Sequence, residues 1–180
     1  MSGEKLFSVE QLQKNHVKQG FSCGVEKLDA YFKDGALRDF NRHIAATFVL
    51  IERSSGVIIG FYTLSSSAIN CGEMPDSLST KLKLPKYPAY PATPLGRMAI
   101  DRRFHGNGYG SALLIDALRR AYGNRKTVGS LAVVVDAKDD NLVMFYERRG
   151  FIRFPTHAQK LFITMATIGQ MLSDRGIPLE

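Results

Sequence analysis

The run Leu131-Ala132-Val133-Val134-Val135 constrains the fold more than any other segment. A strand with one wet face alternates apolar and polar residues, whereas an unbroken apolar run belongs to a strand covered on both faces. Helix-type patterns flank it. Before it, Leu113, Leu114, Ala117, Leu118 and Ala121 repeat at helical spacing. After it, Asp139 or Asp140 can cap a helix over about 141–149 that Gly150 ends. A two-sided strand between amphipathic helices requires an α/β fold, a mixed central sheet with helices on both faces.

The remaining pattern fits that frame. Ser22 can cap a helix starting near Gly24, with Val25, Leu28, Phe32 and Ala36 on one face. Residues 44–52 and 57–64 read as two strands of a hairpin around the turn Glu52-Arg53-Ser54-Ser55-Gly56. Leu95 to Ile100 is a further strand, and 151–154 with 161–166 form a closing hairpin. Residues 74–94 hold Pro75, Pro85, Pro88, Pro91 and Pro94, which resist both helix and central strand. They read as an ordered excursion with a short helix near 77–82. The 180 residues, 44% of them hydrophobic, suit one domain spanning 1–180, with a core over about 21–166 and a tail at 167–180.

Composition excludes several classes of function. No apolar run reaches membrane-spanning length, and Met1-Ser2-Gly3-Glu4-Lys5 offers no signal core. Cys23 and Cys71 are too few for a disulfide framework and have no metal-ligand spacing, which fits reduced thiols in the cytoplasm and no metal. The net charge of +7 suits polyanionic ligands.

Arg103-Phe104-His105-Gly106-Asn107-Gly108-Tyr109-Gly110-Ser111 joins a strand to a helix. Glycines admit close backbone approach, and the helix start offers unpaired N–H groups, so the segment can cradle a pyrophosphate. Seven basic residues between Arg97 and Lys126 face only Asp101 and Asp116. A nucleoside triphosphate loop requires Lys-Ser or Lys-Thr, which is absent. A dinucleotide loop requires G-x-G-x-x-G after the first strand, whereas here the spacing is G-x-G-x-G in mid-chain. Coenzyme A is the third candidate, and a glycine-rich turn that holds no ligand is the alternative.

Arg103-x-x-Gly106-x-Gly108 resembles the [RQ]-x-x-G-x-[GA] signature of GNAT-superfamily N-acetyltransferases, and Asn141-Leu142-Val143-Met144-Phe145-Tyr146-Glu147-Arg148-Arg149-Gly150-Phe151 resembles its second hallmark. Phe21 to Phe32, Gly60-Phe61-Tyr62-Thr63-Leu64, Leu84-Pro85-Lys86-Tyr87-Pro88 and Leu95 to Asp101 are similar to the GNAT toxins of type II toxin–antitoxin systems. The resemblance implies a single-domain GNAT fold and acetyl transfer from acetyl-CoA to the α-amino group of aminoacyl-tRNA, which blocks translation. It also implies a ribbon–helix–helix antitoxin as partner and a homodimer.

The resemblance assigns roles. Met98, Ala99 and Ile100 offer backbone bonds to pantetheine. Gly106, Asn107, Gly108, Gly110 and Ser111 hold the pyrophosphate, with Arg103 beside it. Asn141 contacts the pantetheine arm, and Tyr146 is the general acid for the departing thiolate. Lys33, Arg38, Arg42, Lys86, Arg97, Arg148 and Arg149 are candidates for tRNA contact, with solvated surface charge as the alternative. No acid stands out as a general base, and the nearest histidines are His43 and His105. A lysine amine, of pKa about 10.4, needs one; an α-amino group, of pKa about 7.7–8.0, is already partly neutral. Acceptors other than tRNA remain open, namely a small amine or a protein N-terminus. So does a non-catalytic CoA-binding or regulatory module.

Overall fold

The computed structural model describes residues 6–179, so the polar start at 1–5 lies outside the described residues. The elements in chain order are β1 (Phe7–Gln11), α1 (Glu26–Ala30), a π-helical turn (Tyr31–Gly35), α2 (Ala36–Asn41), β2 (Ala46–Glu52) and β3 (Ile58–Leu64). There follow β4 (Ser67–Asn70), α3 (Asp76–Lys81), β5 (Ala89–Ile100), α4 (Tyr109–Asn124) and β6 (Ala132–Asp136). The chain closes with α5 (Asp140–Glu147), β7 (Ile152–Phe154), β8 (His157–Thr164) and α6 (Met165–Asp174). Two compact units result, and β5 and α4 contribute to both. The first runs to Ser65 and adds Leu95–Ala117, and the second takes Ser66–Pro94 and the chain from Leu118 onward.

In the first unit β1, β2, β3 and the second half of β5 pair antiparallel in that order. Successive strand residues point to opposite faces, and both faces carry helix here. Phe61 faces the α1–α2 segment and stacks on Phe32 at 4.4 Å, with Phe21 edge-on to both rings. Its neighbour Tyr62 faces α4 and donates its hydroxyl to Asp116 at 2.6 Å. Leu12, Val49, Ile58 and Ala99 complete the Phe21–Phe32–Phe61 core.

Two expectations are corrected in this unit. The first helix does not run unbroken from Gly24, because α1 starts at Glu26 and the π-helical turn interrupts the helical run before α2. Ser22 is not its cap: Val25 occupies that position, and the Ser22 hydroxyl donates to Asp29 at 3.0 Å while the Cys23 N–H donates to the same carboxylate at 2.7 Å. The strand β1, which lies before that helix, carries no strong apolar alternation and adds to the expected set.

In the second unit β5 pairs antiparallel with β4 and parallel with β6, and β6, β8 and β7 continue antiparallel. Residues 132–135 of β6 are all buried, as the apolar run requires. The proline-rich excursion ends earlier than expected, since β5 begins at Ala89 and includes Pro91 and Pro94. The expected short helix within it is α3. The last strand ends at Thr164, so residues 165 and 166 belong to α6. Thr164 caps that helix by accepting from the Thr167 N–H at 3.2 Å, and Met165, Ile168 and Leu172 are buried.

Candidate active site

The second half of β5 carries the residues expected to meet pantetheine. Ile100, Ala99 and Met98 pair with Gly60, Phe61 and Tyr62 of β3. The pairing of β5 with β6 ends at Pro94. Residues 95–100 therefore use one edge of their backbone on β3, and the other edge pairs with no strand among the described residues; the Ile100 carbonyl on it is held by the His105 ring at 2.7 Å, which leaves the edge at Met98 for a ligand that adds itself as a strand would.

The glycine segment follows at once. Gly106 and Gly108 hold φ of +77° and +80°, a region that favours glycine, and a Cβ on either would meet no atom within 4 Å. Among the described residues the backbone N–H groups of Gly106, Asn107, Gly108, Tyr109 and Gly110 donate to no protein acceptor. They lead into the 16-residue helix α4, whose N-terminal dipole favours an anion. Internal bonds preform the loop: the His105 ring meets the Ile100 carbonyl at 2.7 Å, and the Asn107 amide donates to the carbonyls of Phe104 and His105. His105 thus has a structural task, while His43 is exposed with a positive φ of 58°.

Arg103 does not stand free beside the glycines. Its Nε and Nη2 both donate to Asp101 at 3.0 Å, and its backbone N–H adds a bond at 2.9 Å. Asp101 is 1% exposed and also accepts from the Ser22 N–H at 3.1 Å. Burial pushes the Asp101 carboxyl up, but the Arg103 side chain and the backbone donors outweigh it and hold the group below the usual carboxylate range. Sequence reasoning missed this anchor, although an acid directly after an apolar strand in a basic segment was its signal. Arg103 also lines a cavity of about 480 Å³ with Glu10, His16, Phe21 and Ile58.

In the second unit α5 carries Tyr146 and Asn141. Asp139 caps the helix by accepting from the Leu142 N–H at 2.9 Å, which leaves Asn141, exposed in the first turn, without that task. Tyr146 is 6% exposed and held between Phe145 and Phe151, with ring centroids 5.3 and 5.1 Å away. Burial pushes its hydroxyl up to about 12. That hydroxyl makes no hydrogen bond among the described residues, so the expected alternative, a tyrosine tied to a backbone carbonyl, is not what the structure holds. A protonated, unengaged phenol can donate a hydrogen bond to a departing thiolate and pass its proton as the bond breaks.

The basic candidates divide in the same way. Arg38, Arg42 and Arg97 are exposed and Lys33 half-buried in the first unit; Lys86 and Arg148 are exposed in the second. Arg149 is partly engaged, lying 3.7 Å over the Phe145 ring and donating to the Phe145 carbonyl at 2.8 Å. Both cysteines are free thiols, and burial pushes the Cys23 thiol up to about 11, which makes it a poor nucleophile. The described residues hold no metal-ligand cluster and no helix long and apolar enough to cross a membrane.

Known proteins are similar to this chain in sequence and fold. The acetyltransferase (GNAT) family matches residues 11–151. A tRNA-acetylating toxin of Mycobacterium tuberculosis is 30% identical over 154 residues, covering 86% of this chain and 89% of its own. A probable toxin TacT of Sinorhizobium fredii is 28% identical over 172 residues, covering 91% and 94%. Among solved structures, a tyrosine-to-phenylalanine mutant of KacT superposes with a TM-score of 0.85 at 29% identity, covering 93% of this chain and 99% of that one. AtaT complexed with acetyl-methionyl-tRNAfMet gives 0.85 at 26%, covering 92% and 99%. AtaTR bound with acetyl-CoA gives 0.79 at 26%, covering 92% and 98%. With the family matched over most of its length, and an open strand edge and a glycine-led helix start where that family's signature falls, this chain belongs to the GNAT acetyltransferases.

Proposed function

We propose that this chain is the toxin of a toxin–antitoxin system and acetylates the α-amino group of aminoacyl-tRNA, blocking translation in the cytoplasm as one acetyltransferase domain. The observation that carries the chemistry is the Tyr146 hydroxyl, buried, unengaged and protonated far above neutral pH. The substrate class rests on the relatives, one a tRNA-acetylating toxin and another complexed with an acetylated aminoacyl-tRNA. The net charge of +7 and the absence of an evident general base fit it.

The residues present fit acetyl-CoA, which supplies an acetyl thioester when bound. The free N–H groups from Gly106 to Gly110, with Ser111 behind them, take the pyrophosphate, and the open edge at Met98, Ala99 and Ile100 takes the pantetheine. Arg103 acts one step removed, through its pair with Asp101. Asn141 reaches the pantetheine arm. The amine nitrogen bonds to the acetyl carbon and the carbon–sulfur bond breaks. Tyr146 gives its proton to the sulfur and is recharged by the proton that the amine loses. A partly neutral α-amine needs positioning more than a base. Lys33, Arg38, Arg42, Lys86, Arg97, Arg148 and Arg149 supply charge for the RNA. A ribbon–helix–helix antitoxin and a homodimer complete the proposal.

The test is cell-free translation with the purified protein and labelled acetyl-CoA. We expect arrest only when acetyl-CoA is present, with the label recovered on amino acids released from tRNA by ester hydrolysis. Label confined to small amines or protein N-termini would replace the substrate, and arrest without acetyl-CoA would overturn the mechanism.

A further inference from the structure

One cluster in the first unit has no part in acetyl-CoA binding. Thr47, Thr63 and Arg97 sit directly opposite one another across β2, β3 and β5, so they form one row on the face that meets the α1–α2 segment. The Arg97 guanidinium lies 3.7 Å from the centre of the Tyr31 ring, and its backbone N–H is fixed on the Thr63 hydroxyl at 3.0 Å. Tyr31 opens the π-helical turn, and Gly35 closes it. A Cβ on Gly35 would lie 2.9 Å from the Tyr31 ring and 3.4 Å from Arg38 Nη2, so glycine is what lets ring and second guanidinium approach. The Tyr31 hydroxyl is buried beside Asp39 and the Thr47 hydroxyl, which holds the ring in place under Arg97.

The chemistry of this cluster is specific. An exposed guanidinium held over an aromatic ring at 3.7 Å has already given up much of its side-chain freedom. It presents a planar cation to solvent, with the exposed Arg38 cation, paired to Asp39 at 3.5 Å, nearby. Such a platform suits a flat base next to a phosphate, the contact by which proteins hold single-stranded ends without reading sequence. The position is also apt, because Arg97 immediately precedes Met98 on β5.

We propose that the Tyr31–Arg97 stack, flanked by Arg38, seats the 3′-terminal nucleotide of the aminoacyl-tRNA. This rests on the aminoacyl-tRNA reading above and adds the part of the substrate that is gripped. Arg97 then sets the affinity for the acceptor end, and its plane matters as well as its charge.

The experiment is steady-state acetyl transfer to one charged tRNA, with either its normal terminal adenosine or an abasic terminal ribose. Wild type is compared with Arg97→Lys, which keeps the charge and removes the plane. For wild type, loss of the base raises KM about tenfold, the scale of one stacked base. For Arg97→Lys, KM on normal tRNA rises about tenfold, the abasic end costs little more, and the salt slope is unchanged because no charge is lost. Acetyl-CoA affinity by calorimetry and the melting temperature stay at their wild-type values, which separates a substrate contact from a folding defect. The inference is overturned if wild type is indifferent to the terminal base, or if Arg97→Lys discriminates as wild type does. Absence of transfer to either tRNA overturns the tRNA reading, and this inference with it.

Discussion

Asp101→Ala tests whether the phosphate segment is held from behind. The carboxylate is 1% exposed and accepts four bonds, from the Ser22 N–H, the Arg103 N–H, and Arg103 Nε and Nη2. Hydrogen bonds to a charged group contribute about 1.5–3 kcal/mol each where both partners are buried. The two backbone donors qualify in part, since their segments lie near the surface. The Arg103 side chain is 57% exposed, so solvent screens its ion pair and the expected loss rests on the two backbone donors. The expected loss is about 2–4 kcal/mol, a Tm drop of roughly 4–16 °C for a chain of this size. Urea and thermal unfolding at pH 7 measure it.

The pH dependence has a definite sign. Asp101 is held below its usual range, so its contribution is present above the unfolded value of about 3.9 and is lost as pH falls through the lower folded value. The gap between wild type and Asp101→Ala is therefore flat from about pH 5 to 8 and narrows below about pH 4. A difference under about 0.5 kcal/mol at pH 7, or a gap that widens on acidification, refutes the reasoning.

Three further outcomes follow from the same structure. Gly108→Val forces a branched side chain into a φ of +80°, costing about 1–3 kcal/mol of backbone strain in a loop with open space around it; calorimetry should show acetyl-CoA binding weakened at least tenfold. Ile168→Ala empties a fully buried position of α6 and should cost about 2–5 kcal/mol in urea unfolding. The pH profile of kcat should rise with loss of the amine proton and show no falling limb below about pH 10, because Tyr146 is pushed up to about 12; a fall with an apparent pKa under 10 removes it as the acid.

The backbone that frames the candidate site was legible because its signals are local. The glycines at 106 and 108 fix a left-handed backbone wherever the chain goes, and the Asp139 cap and Gly150 bracket α5 closely. The β6 run was legible because burial on both faces leaves no polar residue to alternate. What was not legible depends on distant partners. Pro91 sits inside β5 because that position needs only its carbonyl, which accepts from the Leu131 N–H at 2.7 Å. The short strand β4 exists through its pairing with that same segment. The π-helical turn at Tyr31 looks helical in sequence, and its offset becomes visible only against the strands it covers. The helix α6 had a readable cap in Thr164 and Thr167, but the apolar residues before it drew the strand pattern onward by two residues.

The most direct measurement is acetyl transfer to total charged tRNA by wild type and Tyr146→Phe, with acetyl-CoA affinity measured on both. The account predicts that wild type labels aminoacyl-tRNA and that Tyr146→Phe slows kcat by about 10²–10⁴-fold while acetyl-CoA binds as before. Equal rates for the two proteins, or a slow variant that has also lost acetyl-CoA, would contradict Tyr146 as the proton donor.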